Sequence, residues 1–139
     1  MDEKKKIKLN LITQDKTLVS EDVSFVVLPS EAGPLGILPG HAPLLGTLDI
    51  GELLVRDISG KEFKAFVGRG FFMISREGVS MVAHRAELED QIDVDRATTS
   101  RERARKILLS TNTGMDIERA RDAMRRADVR IRIVKGAAA

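Results

Sequence analysis

Five arginines in the last third of the chain recur at helical spacing, and their side chains could bind an anion. Arg96 and Arg103 are seven residues apart, Arg119 and Arg126 are also seven apart, and Arg130 follows one turn later. Seven residues make about two turns and roughly 10 Å of helix, so each pair lies on one face. Two such rows repel each other unless an anion or an acidic surface lies between them. The pattern therefore indicates a negatively charged partner.

These arginines require two helices that pack as an antiparallel pair. In the second arm, apolar residues recur every three or four positions, as in the seam of a helix packed on one partner: Ile117, Ala120, Met124, Ala127, Ile131 and Val134. The first arm repeats this seam with small residues and a charge: Val94, Ala97, Arg101, Ala104 and Leu108. Turn formers separate the arms at residues 110–114, and Asp116 is predicted to be the N-cap of the second helix.

Composition and charge divide the chain into two parts. With 139 residues and 42% hydrophobic residues, it can form one domain with an appendage and an ordinary core. Residues 1–89 carry 11 basic and 13 acidic groups, net −2, whereas residues 90–139 carry 12 and 8, net +4. All phenylalanines and prolines precede residue 80. We therefore expect a boundary near Glu89 and Asp90.

Several function classes are disfavoured by what the sequence lacks. It has no cysteine, no run of eighteen apolar residues and no apolar core of a signal peptide near its start, so a cytoplasmic protein without disulfides or thiolate sites is expected. Two histidines far apart in the sequence do not make a metal site, and His41 is interpreted as a turn or interface residue. No P-loop motif and no set of acid, base and nucleophile is present, so we expect no enzyme.

The first part of the chain reads as a β domain. Short apolar and polar alternations, typical of half-buried strands, are separated by turn signals and lie at residues 7–11, 23–27, 53–58, 63–67, 71–74 and 79–83. Such spacing predicts an antiparallel sandwich or flattened barrel. Residues 28–45 interrupt it with four prolines, which predict an ordered, turned loop region with apolar side chains that dock on other proteins. Phe71 and Phe72 are predicted to face opposite sides of their strand.

Two motifs give the chain a family resemblance. Residues 36–45, Gly-Ile-Leu-Pro-Gly-His-Ala-Pro-Leu-Leu, resemble the signature of the epsilon subunit of F-type ATP synthases. Residues 92–97, Ile-Asp-Val-Asp-Arg-Ala, are similar to the motif that opens the carboxy-terminal hairpin of that family. The likeness spans nearly the whole chain. It implies a β-sandwich of about ten short strands in residues 1–89, an antiparallel α-helical hairpin in residues 90–135 and a tail at 136–139.

The resemblance also implies a role and partners. Such a subunit is non-catalytic and belongs to the rotating central stalk, peripheral to the membrane on the cytoplasmic face of the bacterial inner membrane. Its sandwich binds the gamma subunit and the c ring, and its extended hairpin enters the alpha/beta catalytic head and blocks ATP hydrolysis. The interface residues implied for this chain are Ser30, Glu31, Pro34, Leu38, His41 and Leu44.

In several bacterial members of that family, the folded hairpin binds ATP as a regulatory ligand, with or without Mg²⁺. The positions that match those near the adenosine are Glu87, Ile92, Asp93 and Ala97. Those that match positions around the phosphates are Arg96, Arg103, Arg126 and Arg130, and Arg119 matches a nearby basic position. Glu118 stands where some ATP-binding relatives have a basic residue, which is expected to weaken the affinity.

Other interpretations of the same residues remain open. Asp93 could serve only as an N-cap with Arg96 as its local partner, and the arginine face could be a solvated helix surface. The arginines could also contact acidic helices of the catalytic head when the hairpin is extended. A basic hairpin that binds nucleic acid is a further alternative, although interspersed acids and the absence of any aromatic residue in the hairpin disfavour it.

Overall fold

The computed structural model describes residues 5–110 and 114–136. The chain divides into two compact units, Met1–Glu89 and Asp90–Ala139. The first unit contains nine described strands: β1 (Ile7–Ile12), β2 (Thr17–Ser30), β3 (Gly33–Ile37), β4 (Leu44–Leu48), β5 (Gly51–Asp57), β6 (Glu62–Val67), β7 (Gly70–Ile74), β8 (Gly78–Ala83) and β9 (Ala86–Leu88). After a 3₁₀ turn at Glu89–Gln91, the second unit contains helices α1 (Val94–Ser110) and α2 (Gly114–Lys135).

The strands form a closed, mostly antiparallel sandwich, as predicted. Their hydrogen-bonded order is β1-β8-β7-β4-β2-β5-β6-β9, β3 pairs with β2, and a further β1–β2 pairing closes the ring. The pairing of β1 with β8 is parallel, a departure from the antiparallel expectation. The described residues contain nine strands, in agreement with the expected number of about ten, and β2 is the longest of them with 14 residues. Its first half pairs with β1 and its second half with β3 and β5, so one strand serves both layers.

The core of the first unit follows the predicted alternation, with one shift. In β1 and β5 every second residue is buried, with Leu9, Leu11, Leu53 and Val55 fully inside. In β2, however, the buried residues after Val23 are Val26 and Leu28 instead of the expected odd-numbered positions. The register of β2 against β5 shifts just after Val23, and such a bulge turns all later side chains to the other face.

The proline-rich stretch at 28–45 is more regular than predicted. It contains the end of β2, all of β3 and the first residues of β4, so only the part around residues 38–43 is a loop. Pro29 and Pro34 face each other across the β2–β3 pair. A proline is compatible with a strand at a sheet edge, where its missing N–H is not needed by a neighbour. Among the described strands, β3 pairs with β2 alone, which explains why Pro34 does not break it.

Caps at both ends of the hairpin define the helices. Asp93 is the N-cap of α1, because the backbone N–H of Arg96 donates to its Oδ1 at 3.1 Å. The second helix begins at Gly114, so Asp116 lies inside its first turn and the N-cap prediction was wrong. Its carboxylate still lies at the end of the helix that favours negative charge. Gly136 ends α2 with φ of 93° and donates its N–H to Arg132 O at 2.7 Å, as C-terminal glycine caps do.

The helix seam is built from alanines. The buried seam residues of the two helices are Ala97, Ala104, Ala120 and Ala127. The predicted seam does not extend to Val134, which is 39% exposed, whereas Ile131 is half-buried like the seam residues Ile117 and Met124. Helix α2 has 22 residues and α1 has 17, so the last turn of α2 extends beyond the start of α1 and has no partner helix. There the helix instead buries Val129 and Ile133, one turn apart on its other side.

Candidate functional site

Each of the four buried seam alanines is directly preceded by an arginine. The pairs are Arg96-Ala97, Arg103-Ala104, Arg119-Ala120 and Arg126-Ala127, so the same Arg-Ala repeat occurs twice in each helix at a spacing of seven. Successive residues of a helix are about 100° apart, so each arginine lies on the same flank of its seam. We call these four arginines and Arg130 the arginine rows. The position of each arginine is set by the buried alanine that follows it in the sequence.

The antiparallel arrangement places both rows on one side of the hairpin. Two antiparallel helices that face each other are related by an approximate twofold axis perpendicular to both. That rotation keeps each side of the pair on the same side, so equal patterns in the two helices end on the same surface. Arg101 and Asp128 lie on the opposite flank of their seams, and they meet there with Arg101 Nη1 3.3 Å from Asp128 Oδ1. Both rows therefore lie on one surface of the hairpin, close enough for an anion between them as the sequence analysis expected.

The rows differ in accessibility. Arg96, Arg103 and Arg119 are exposed, whereas Arg126 and Arg130 are half-buried. Arg126 and Arg130 have interaction partners within the structure. Guanidinium groups on one surface repel each other and attract phosphate or carboxylate oxygens, which they bind with bidentate hydrogen bonds. This surface is suited to an anion with several charged oxygens.

The residues predicted near the adenosine have varied structural positions. The carboxylate of Asp93 caps α1, which confirms its structural role, and its side chain is exposed. Ile92 is half-buried beside it. Ala97 is only 3% exposed, so its methyl group serves seam packing. Glu87 lies on β9, in the first unit of the chain, and is half-buried.

The six predicted interface residues lie at two ends of β3. Ser30, Glu31 and Pro34 surround the β2–β3 turn, where Ser30 Oγ donates to Gly33 O at 2.6 Å and accepts from Ala32 N–H at 3.2 Å. Three others, Leu38, His41 and Leu44, surround the loop after β3. Pro34 and Leu38 are four residues apart along extended chain, which separates the two groups by about 13 Å. The structure therefore does not bring the six together into one patch.

His41 has the turn role that the sequence indicated. Its backbone N–H donates to Leu38 O at 3.2 Å, and its ring Nδ1 lies 2.6 Å from Ala42 O. Because a carbonyl can only accept, Nδ1 carries the proton in this contact. Leu38 is 61% exposed, so this turn presents an apolar side chain to the surroundings.

A set of exposed apolar residues lies on the sandwich, and the sequence analysis anticipated only that one of Phe71 and Phe72 would be exposed. We call it the apolar strip, and its members on β4, β7 and β8 are Leu45, Phe71, Met73 and Val82. Leu45 faces Met73 across β4–β7, and Phe71 faces Val82 across β7–β8, so the four form one continuous surface. The available signal was the β7 sequence Phe-Phe-Met-Ile, which is apolar on both faces and indicates a strand covered on both sides.

An open groove of about 610 Å³ lies at one end of the apolar strip. Phe71 and Val82 line its apolar part, and Glu31, Arg69 and His84 line its polar part. The groove thus connects the strip with the turn that carries Glu31, one of the predicted interface residues. Apolar surface bordered by charged groups is typical of a protein interface.

The described part of the chain contains neither a metal-ligand cluster nor a helix that could span a membrane. No group of three or more histidine, aspartate or glutamate side chains there is arranged to hold a metal ion. Neither of the described helices has the length and apolar character needed to cross a bilayer.

Comparison with known proteins connects both units to one family. Residues 6–89 match the beta-sandwich domain of the ATP synthase delta/epsilon chain, and residues 90–135 match its long alpha-helix domain. The ATP synthase epsilon chain of Desulforamulus reducens is 41% identical over 125 residues, which are 90% of this chain and 94% of that protein. The epsilon chain of Lawsonia intracellularis is 44% identical over 101 residues, 73% of this chain and 75% of that protein.

Solved structures share the fold. A chain of the Euglena gracilis mitochondrial ATP synthase aligns with a TM-score of 0.80 at 23% identity, over 92% of this chain and 81% of that one. A chain of the Tetrahymena thermophila mitochondrial enzyme aligns with a TM-score of 0.68 at 12% identity, over 97% and 100%. At these identities the likeness concerns the fold alone. The two domain matches and the bacterial relatives show that this chain belongs to the delta/epsilon chain family of ATP synthases.

Proposed function

We propose that the chain is a non-catalytic regulatory subunit of the central stalk of a bacterial ATP synthase, with a hairpin that senses ATP. The observation that carries this proposal is the Arg-Ala repeat, which places the arginine rows on one side of the hairpin. Family membership supplies the context, since the bacterial relatives are named ATP synthase epsilon chains. In this assembly the chain is peripheral to the membrane, on the cytoplasmic face of the bacterial inner membrane.

The sandwich attaches the subunit to its neighbours through two surfaces. The apolar strip is suited to the gamma subunit, because four large apolar side chains on a sheet face are rarely left open to water in a monomer. The β2–β3 turn, with the exposed Glu31 and Pro34, is suited to the polar loops of the c ring. The groove that contains Phe71 and Glu31 adjoins both surfaces. One rigid sandwich can therefore couple gamma to the ring.

The hairpin binds ATP through the arginine rows. Arg96, Arg103, Arg126 and Arg130 offset the triphosphate charge by charge-assisted hydrogen bonds, and Arg119 adds positive potential. The α1 start at Ile92 and Asp93 adjoins the first arginine and is suited to contact the nucleoside. A ligand that binds only the closed hairpin stabilises it by about 2.7 kcal/mol at a hundredfold excess over its Kd. The proposed site needs no metal from the protein, and ATP can arrive with its own Mg²⁺.

The regulatory step is the opening of the hairpin. In the open form, the helices extend along gamma and place their basic surface against the alpha/beta catalytic head, which blocks rotation in the direction of ATP hydrolysis. ATP binding to the closed form competes with this extension by population shift. High ATP thus releases the inhibition, and low ATP favours it. The same arginines serve a ligand in one state and a protein surface in the other.

The test is assembly with purified partners. The chain is mixed with the gamma subunit and detergent-solubilised c ring of a close bacterial relative, and complexes are separated by size. We expect a stable complex with gamma, and a larger complex when the c ring is added. ATP hydrolysis by the catalytic head with gamma should fall when the chain is added, and less so at high ATP. Failure to bind gamma would refute the stalk assignment.

A further inference from the structure

The closed hairpin has little apolar surface to hold it together. All four buried seam residues are alanines, so each contributes one methyl group where other helix pairs place leucine or isoleucine. The larger seam residues Leu108, Ile117 and Met124 are half-buried. The exposed arginines of the rows, Arg96, Arg103 and Arg119, add positive charge on one flank of this weak packing. Contacts on the other flank therefore matter for closure.

An ion pair joins the helices on that other flank. Arg101 Nη1 lies 3.3 Å from Asp128 Oδ1 and donates a hydrogen bond to it across the hairpin. Asp128 directly follows Ala127, whereas Arg126 directly precedes it, so the ion pair and the arginine rows flank the seam on opposite sides. The side chains are 36% and 49% exposed, so water competes for this ion pair and its contribution is modest.

We propose that Arg101 and Asp128 are positioning residues for the anion site: their ion pair holds α1 against α2 and so keeps the two arginine rows on a common surface. This inference rests on the proposed nucleotide site, and it assigns that site a latch that works without ligand. The pair acts on the closed state alone, because opening the hairpin separates the two residues. Breaking the pair shifts the hairpin toward the open state and reduces the fraction of molecules ready to bind the anion.

The magnitude of the effect follows from the exposure of the pair. Exposed ion pairs change an equilibrium by a factor of about two to five, and those with several competing partners by less. Such a factor would matter little for two helices held by large apolar side chains. For helices held by alanines, the closed and open states differ less in free energy, so the same factor changes their ratio noticeably. The chain contains a matched comparison in Arg105 and Glu102, an exposed pair at 3.6 Å within α1. That pair joins two residues of one helix and cannot hold two helices together.

The experiment measures hairpin closure in the full chain. Because the sequence has no cysteine, Thr99→Cys on α1 and Lys135→Cys on α2 attach two spin labels at unique, exposed positions. The distance distribution gives the ratio of closed to open molecules without nucleotide, at the urea concentration that opens half of the otherwise unmodified hairpins. We expect Arg101→Gln and Asp128→Asn each to lower this ratio about two- to fivefold. The exchanged pair Arg101→Asp with Asp128→Arg should restore it, and Glu102→Gln should leave it unchanged.

Two results would overturn the latch. One is an unchanged ratio in both single variants, and the other is an exchanged pair that stays as open as the single variants. A parallel ATP titration separates the latch from the nucleotide site: the single variants should bind ATP more weakly by the same factor that they lose in closure. If the unmodified chain binds no ATP, the nucleotide proposal fails, and the distance measurement still decides whether the ion pair closes the hairpin.

Discussion

Phe71 and Phe72 are neighbours in β7, yet Phe71 is 62% exposed and Phe72 only 3%. The strand turns successive side chains to opposite faces, so Phe72 belongs to the core while Phe71 belongs to the apolar strip. Two chemically identical side chains thus lie in different places, one in the core and one on the surface that we propose binds gamma. This makes them a matched pair for experiment.

The first prediction separates these tasks. Phe72→Ala should lower the free energy of unfolding by about 3–5 kcal/mol, because it leaves a cavity in the core. Phe71→Ser should change it by less than about 0.5 kcal/mol but weaken binding to gamma, because it removes apolar contact area. Urea unfolding and a gamma binding assay measure the two effects. Normal gamma binding by Phe71→Ser would place the interface elsewhere.

A second prediction concerns the glycine under the buried phenylalanine. Gly46 faces Phe72 across β4–β7, and a Cβ there would lie 2.5 Å from the ring. The packed core leaves the ring little room, so Gly46→Ala should destabilise the sandwich by about 1–3 kcal/mol. Gly36→Ala is the control, since its Cβ would make an ordinary 3.5 Å contact with Phe25. Equal unfolding midpoints in urea for the two variants would contradict the packing described for Phe72.

The alanine seam gives a third prediction. Ala127 is fully buried, so Ala127→Leu forces the helices apart and should disfavour the closed hairpin by about 1–3 kcal/mol. The half-buried Ala123 on the same helix provides the control, because Ala123→Leu carries the same change in helix propensity. Label distances across the hairpin report the opening. If Ala123→Leu opens it as much as Ala127→Leu, the seam is not where the alanines indicate.

Glu118 is the subject of the fourth prediction. It is exposed next to Arg119 and adds negative charge near the arginine rows. Glu118→Gln should therefore strengthen ATP binding by about two- to fivefold, the range for interactions between exposed charges. Calorimetry at low salt gives the largest difference, since salt screens such interactions. Glu21→Gln on β2 is the control and should leave the affinity unchanged; a gain of the same size there would reflect net charge alone.

The hairpin and its arginine rows could be predicted because helical periodicity is a local property of the sequence. The Asp93 cap and the spacing of the alanines can be predicted from the local sequence alone. The start of α2 was harder to predict, because several neighbouring residues suit an N-cap. Asp116 is one of them, but the helix begins two residues earlier at Gly114. Where the seam ends depends on the length of the partner helix, which explains the error at Val134.

The sandwich was predictable in class but not in detail. Alternation of apolar and polar residues identifies strands. A single extra residue after Val23 reverses which side chains of β2 face the core, and the local sequence contains no signal for this bulge. Pro34 is tolerated in β3 because this strand pairs with β2 alone, which is a property of the assembled sheet. Likewise, Leu45 and Met73 become a surface only through the β4–β7 register, which pairs residues far apart in the sequence.

The most direct test of the central claim is a calorimetric titration of ATP into the isolated full chain, repeated with Arg126→Ala and with Arg105→Ala. Arg126 belongs to the arginine rows, whereas Arg105 lies elsewhere on α1 and pairs with Glu102. We predict saturable binding to the unmodified chain and to Arg105→Ala, and a loss of about tenfold or more in affinity for Arg126→Ala, as expected for a lost charge-assisted contact. No binding at millimolar ATP, or equal loss in both variants, would contradict a hairpin that senses ATP.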